Sequence, residues 1–292
     1  VFTQALHNTP ENNFVIGWKL RHAYVMKKNT VLCLFIAIAG ALLSGCLENT
    51  LVVDVAKDGS GTITNTMYMS PQMYQQISVD ESGQPVEGDP LVNDESKANA
   101  EAMAAKFGPN VKFVSLEATS KDDWKGAVAT YTFDDVTKLT LDLTSVMEDP
   151  NDTEAAPSKT PIKIAFTSGD VSKLELTMPD VGNGKASTEP APEMTAEEMQ
   201  QMQMMAMMMQ GMQFSMLLKV DGTITETNAG TVDGSTITLF QIDMGTALSN
   251  PEGFQSMQAS AESDDPQQML KGLNGVDGVI IESAPKITVD FK

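Results

Sequence analysis

The stretch 51-LVVDVAKDGSGTITNTMYM-69 sets the fold class of this chain. Two strand-like runs, 51–56 and 61–69, are joined through Asp58-Gly59. Asp-Gly between such runs is a strong hairpin signal, because both turn positions must accept a positive φ. Two antiparallel strands are expected here.

The same pattern recurs outward from that hairpin. Ile162, Ile164 and Phe166 alternate with Lys163, Ala165 and Thr167. Leu174, Leu176 and Met178 alternate with Glu175 and Thr177, and Ile287, Val289 and Phe291 with Thr288, Asp290 and Lys292. Ala127, Ala129, Tyr131 and Phe133 share one parity. Period two means one buried face and one wet face, which favours antiparallel sheet. Further strands are expected over 111–119, 215–220 and 235–242, with Asp221-Gly222 and Asp233-Gly234 as additional hairpin turns. Residues 57–64 and 219–225 echo one another, through either a duplicated hairpin or common turn chemistry.

Helix signals are fewer. Ser70-Pro71 caps and opens a short helix. A second starts at Asn93 or Asp94 and stops at Phe107-Gly108-Pro109, with Gly and then Pro as its terminators. A third, short one is expected from Asp265-Pro266 to Gly272. Residues 78–90 and 179–193 read as loops. The expected fold is α+β: a twisted, mostly antiparallel sheet with a few helices, one of them Met-rich.

Upstream of the strands, Met26-Lys27-Lys28 is followed by the apolar run 31-VLCLFIAIAGALL-43 and by Leu43-Ser44-Gly45-Cys46. A basic start, a short apolar stretch and small residues before a cleavage point make a secretory signal. The run is shorter than the roughly 20 apolar residues of a membrane span. Residues 43–46 resemble the lipobox of bacterial lipoproteins. That resemblance implies cleavage before Cys46, diacylglycerol on its sulfur and acylation of the new amino terminus. Several acyl chains are what make such an anchor stable. Leu47 follows Cys46 where an Asp would signal retention at the inner membrane, so the resemblance favours the outer membrane, facing the periplasm. Residues 1–25 are expected to be an upstream extension from a misassigned start, with Met26 the true start. The expected organisation is 26–45 signal peptide, 46–50 lipidated tether and 51–292 α+β envelope domain, with a sub-boundary at the 179–193 loop.

Charge and composition narrow the chemistry. The 292 residues carry 19 Lys and Arg against 39 Asp and Glu. Residues 1–45 hold Lys19, Arg21, Lys27, Lys28 and Glu11, so residues 46–292 keep 15 basic and 38 acidic side chains, a net charge of −23. Nucleic-acid binding runs on Lys and Arg neutralising phosphates, so no nucleic-acid partner is expected. Anionic headgroups are disfavoured on the same ground. Both histidines, His7 and His22, lie before Met26, as does the one arginine, Arg21, while Cys33 lies in the signal. Residues 47–292 therefore contain no side chain that titrates near neutrality unperturbed, no guanidinium fork and no thiol. No cofactor is expected.

The segment 194-MTAEEMQQMQMMAMMMQGM-212 stands apart. Thr195 and Glu198 form a capping box, Met194 and Met199 are placed for a hydrophobic staple, and Gly211 can end the helix. At 100° per residue, Met199, Met202, Met205 and Met209 share one broad side, with Gln200, Gln203 and Gln210 leaving a narrow polar strip. A helix apolar nearly all round calls for burial on more than one side. Four readings stand: packing between sheet and loops, a surface for a protein partner or a second copy through Met204, Met207 and Met208, thioether ligation of Cu(I), and contact with a membrane surface.

Carboxylate pairs occur at Asp122-Asp123, Asp134-Asp135 and Asp264-Asp265, with Trp124 suited to a sugar face. Two acids on different strands could serve glycan hydrolysis. Adjacent acids more commonly serve turns and caps. The run 54–65 mimics a calcium loop but has Ala56 and Asn65 where ligands belong, and no metal site is read there. Ser96-Lys97 lacks the spacing of a Ser-Lys pair, and no glycine-rich phosphate loop follows a strand.

From Cys46 the pattern Cys-Leu-Glu-Asn-Thr-Leu-Val-Val-Asp-Val, followed by Lys57-Asp58-Gly59-Ser60-Gly61, resembles the LppM-like lipoprotein domain. Residues 222–229 and 232–239 resemble it as well. The family implies an α+β envelope domain and carries no catalytic residues over. The expected function is a membrane-anchored envelope lipoprotein of non-enzymatic binding or structural type, held by Cys46. The alternatives are a carboxylate-dependent hydrolase of envelope glycans and a Met-rich Cu(I)-binding protein.

Overall fold

A computed structural model describes residues 47–80, 82–143, 145–147, 161–181, 194–261 and 266–292. Cys46, the signal segment, residues 1–25 and the pair Asp264-Asp265 lie outside the described residues.

The hairpin read from residues 51–69 lies in the middle of the larger sheet. Strands β1 (Leu47–Val55) and β2 (Gly61–Met69) pair antiparallel, Leu47 opposite Met69 and Val55 opposite Gly61, so residues 47–50, expected as tether, are strand because Thr66 to Met69 offer them partners. Gly59 takes φ 87° in the turn, and Asp58 accepts from the Ser60 amide (3.0 Å) and hydroxyl (2.6 Å). Those bonds draw the Asp58 carboxyl below its ordinary range. β3 (Val111–Lys121) and β4 (Trp124–Phe133) extend the sheet beyond β2. On the other side β7 (Gln213–Val220) joins β1 in parallel, and β10 (Thr236–Asp243) and β11 (Val279–Ile281) follow. The order is β11-β10-β7-β1-β2-β4-β3, with the short β9 (Val232–Asp233) paired to β10. A four-stranded sheet, β5-β6-β12-β8, is built from β5 (Lys163–Thr167), β6 (Ser172–Thr177), β12 (Lys286–Phe291) and β8 (Ile224–Thr227). The fold is α+β with mostly antiparallel sheets, as the alternation predicts.

The parity read from sequence decides which faces are inside. Ala127, Ala129, Tyr131 and Phe133 are all buried, as are Leu174, Leu176, Ile287, Val289 and Phe291. Tyr131 stacks edge-on against Phe107 (5.2 Å) and Phe113 (5.9 Å), and burial pushes its phenol up to about 12. β10 departs from strict alternation: a bulge between Thr238 and Phe240 leaves Leu239 and Phe240 both fully buried. An extra residue in one strand has this effect.

The three predicted non-Met helices form where their caps stand. Ser70 accepts from the Met73 amide ahead of α1 (Pro71–Ile77), and Asn93 accepts from the Ser96 amide ahead of α2 (Asp94–Phe107), whose C-cap is Gly108. The short C-terminal helix, Pro266–Leu273, is α6.

Two features differ from the sequence reading, and one decides an alternative it left open. Asp221-Gly222 makes no hairpin: β7 belongs to the large sheet and β8 to the small one, so the chain crosses between sheets there. The Thr223 amide donates to the carbonyl of Lys292 (2.9 Å), and this return pairing replaces the expected one. The echo between 57–64 and 219–225 is thus no duplicated hairpin, although the two segments run side by side, with the Asp221 amide donating to Val55 O (2.9 Å). Third, residues 244–261 form two helices, α4 (Met244–Ser249) and α5 (Pro251–Ala261). Their signals are Asp243, which caps Thr246 (2.9 Å), and Pro251 at a first helical position.

Candidate functional site

The Met-rich segment folds as predicted at its start and differently at its faces. Helix α3 runs Ala196–Met208. The Thr195 hydroxyl accepts from the Glu198 amide (3.2 Å), and the Glu198 carboxylate accepts from the Thr195 amide (2.7 Å). That reciprocal pair holds the Glu198 carboxyl below its ordinary range. Gly211, at φ 81°, turns the chain out of the helix and into β7.

Burial on several sides does not occur. Within α3 only Met202 and Ala206 are buried. Met199 is 47% exposed, Met204 57% and Met207 74%. Met205 and Met208 are half-buried. The reason is geometric: α3 packs mainly against the short helix α4, and one small neighbour covers one strip of a helix. The contact is close because Gly245 of α4 lacks a side chain; a Cβ there would stand 2.9 Å from the Cα of Gln210. The amide of Met244 donates to Met212 O (2.9 Å) and ties the two helix ends together.

Between these helices lies an open groove of about 580 Å³. Met202, Ala206 and Met207 form its apolar wall, and Gly245, Thr246 and Ser249 the facing one. Asp243 and Gln210 add polar groups. Asp243 is already committed, through one oxygen to the α4 cap and through the other to the Gln213 side-chain amide (3.4 Å). Of the three predicted surface methionines, Met207 lines the groove, Met204 stands on the exposed side and Met208 is half-buried.

The described carboxylate pairs do local work. Asp122-Asp123 is the two-residue turn of the β3–β4 hairpin, with Asp122 at φ 55° and Lys121 opposite Trp124. Asp135 caps a short 3₁₀ turn by accepting from the Thr137 amide (3.0 Å) and hydroxyl (2.6 Å), which lowers its carboxyl's pKa. Asp134 forms an exposed ion pair with Lys112 (3.4 Å). Within 54–65, Asp54 is paired with Lys219 (2.5 Å), and Ser96-Lys97 lies in the first turn of α2. Among the described residues no group of three or more His, Cys, Asp or Glu is placed to hold a metal ion.

One acid escaped the sequence reading. Glu282 is buried, and its carboxylate accepts from the amides of Gly230 (2.6 Å) and Ala284 (3.0 Å). It clamps the β8–β9 connection to the residues after β11. A single Glu between two loops has no periodic or motif signal, so nothing in the sequence singles it out.

The comparisons with known proteins are sparse. No family model matches the chain, and no curated protein matches it. Among solved structures, the NMR structure of the folded domain of LppM from Mycobacterium tuberculosis is similar at a TM-score of 0.29 and 8% identity, over 85% of this chain and 91% of that one.

Proposed function

We propose that this chain is a lipid-anchored bacterial envelope lipoprotein of non-enzymatic binding or structural type, tethered through Cys46 and facing the periplasm from the outer membrane. The observation that carries the reading is the run from Met26 to Cys46: a basic start, an apolar stretch and a lipobox-like Leu43-Ser44-Gly45-Cys46. Two further facts support it. The first strand begins at Leu47, directly after the cysteine, so almost no chain separates anchor from domain. Residues 47–292 lack His, Arg and Cys, which removes the side chains most often used as general base, oxyanion clamp and nucleophile. Among the described residues, no helix is long and apolar enough to cross a membrane. A covalent lipid supplies attachment by another route.

The test is Cys46→Ser in cells grown with a labelled fatty acid. Label on the wild-type chain should vanish from the variant, which should leave the membrane fraction. A Cys46→Ser protein that keeps its label and stays with the membrane would overturn the reading.

A further inference from the structure

We propose that the exposed methionine side of α3 inserts into the surface of the same bilayer that holds the acylated Cys46, through a neutral rather than an anionic headgroup layer. This rests on the reading of Cys46 as the anchor and adds a second, non-covalent membrane contact with a defined place in the fold.

The register of the central strands brings the two together. β1 starts at Leu47, the residue that follows Cys46 in the chain. In the parallel β1–β7 pairing Glu48 stands opposite Gln213, so Leu47 comes level with Met212, where the chain arrives from α3. Neighbouring strands are about 4.8 Å apart. The first residue after the anchor and the exit of α3 therefore sit at one end of the large sheet. The opposite end is closed by the small sheet: the Ser172 hydroxyl donates to Lys57 O (2.9 Å), and Lys292 pairs with Thr223 beside Asp221-Gly222.

The chemistry at the anchor end suits acyl chains and neutral headgroups. From Met199 to Met212 there is no charged residue. The exposed arc of α3 presents Met199, Met204 and Met207, separated by uncharged Gln200 and Gln203. Thioether side chains are flexible and adapt to irregular apolar surroundings. Glu197 and Glu198 stand in the first turn of the helix, directly before Met199 and about 14–15 Å along its axis from Met207, so the insertion is deepest at Met204 and Met207. Half-buried Tyr68 and Trp124 lie at the same sheet end, Tyr68 opposite Glu48 and Trp124 opposite Lys121, and such amphipathic rings favour the membrane–water interface. α3 has no basic residue, and residues 46–292 carry a net −23, so attraction to anionic lipid cannot supply the contact.

The experiment uses the full chain, processed and acylated at Cys46, in phosphatidylcholine vesicles whose acyl chains carry bromine as a fluorescence quencher. Trp124→Phe removes the one tryptophan downstream of Cys46. In that background Met207→Trp reports on the helix. Val232→Trp, in β9 at the far end of the large sheet, is the control. The Met207→Trp probe should be quenched at least twofold more than the Val232→Trp probe, and adding Met204→Gln should reduce that difference. Vesicle flotation separates the two claims. A protein that floats, with both probes quenched alike or neither quenched, would sink the helix insertion and leave the anchor standing. A protein that does not float would remove the anchor and the proposal with it. A probe shielded equally by brominated and plain lipid, with crosslinking between two copies at position 207, would overturn insertion in favour of self-association.

Discussion

Helix α3 and strand β7 follow one another in the chain and have almost the same apolar content, eight residues of thirteen and five of eight. Their fates are opposite. In β7, Met216, Leu218 and Val220 are no more than 1% exposed. In α3, Met204 and Met207 stay open to solvent. Composition therefore did not decide burial; the number of neighbours did. β7 is hydrogen-bonded along both edges, to β1 and to β10, and its side chains enter a core already lined by those strands. A helix has no edge to share, and among the described residues α3 packs mainly on one short helix and buries one strip. The lesson for Met-rich sequences is that an apolar circumference states a demand that the rest of the fold need not meet.

The sharpest way to break the comparison is to empty the strand side. Leu218→Ala should cost roughly 3–4 kcal/mol in urea or thermal unfolding, because the cavity left in a packed core adds to the lost transfer energy. A loss below about 1 kcal/mol would show that β7 is not core. On the helix side the largest effect belongs to the buried strip. Met202→Ala should cost about 2 kcal/mol, toward the lower end for such truncations, because an open groove lies beside it.

The start of α3 should respond more weakly. Thr195→Ala removes half of the capping box and should cost about 1 kcal/mol, read by hydrogen exchange at the amides of Glu197 to Met199. Glu198 gives the pH signature. Its folded-state carboxyl lies below the ordinary value of 4.5, so its stabilising contribution is present above that value and is lost as the pH falls through the lowered one. Protection at the helix start, corrected for the intrinsic exchange rate, should fall in acid before that of the sheet amides. A helix start that stays protected while the sheet loosens would reverse that ranking of the two regions.

The smallest effect on stability belongs to Met204→Gln with Met207→Gln. Neither side chain is core, so the melting temperature should move by no more than about 0.5 kcal/mol implies. A fall of several kcal/mol would mean that these methionines are covered by the same chain.

Much of the fold was legible because its signals are local and periodic. The Asp58-Gly59 hairpin, the buried parity of 127–133 and the caps at Ser70, Asn93 and Thr195 each depend on a few adjacent residues, and each formed. The misses share one cause. Asp221-Gly222 has the chemistry of a hairpin turn, yet its outgoing strand pairs with β12, whose residues lie more than sixty positions later. Helices α4 and α5 carry only isolated local signals, the Asp243 cap and Pro251, and their placement is set by packing, α4 against β10 and α5 against α4 and α6. Of the candidate site, the methionines and the capping box could be read from sequence. The groove could not, since its second wall comes from α4.

The sequence by itself determined the α+β class, most strand positions, the acidic balance, the absence of His, Arg and Cys after Cys46, and the lipobox-like segment. These follow from residue chemistry and from repeats of two that need no partner to be recognised. Only the tertiary structure decided which methionines face out, that β1 and β7 lie parallel, and hence that Leu47 and the exit of α3 share one end of the sheet. Such pairings join residues about 165 positions apart, and the free energy that selects them comes from the assembled core rather than from either segment alone.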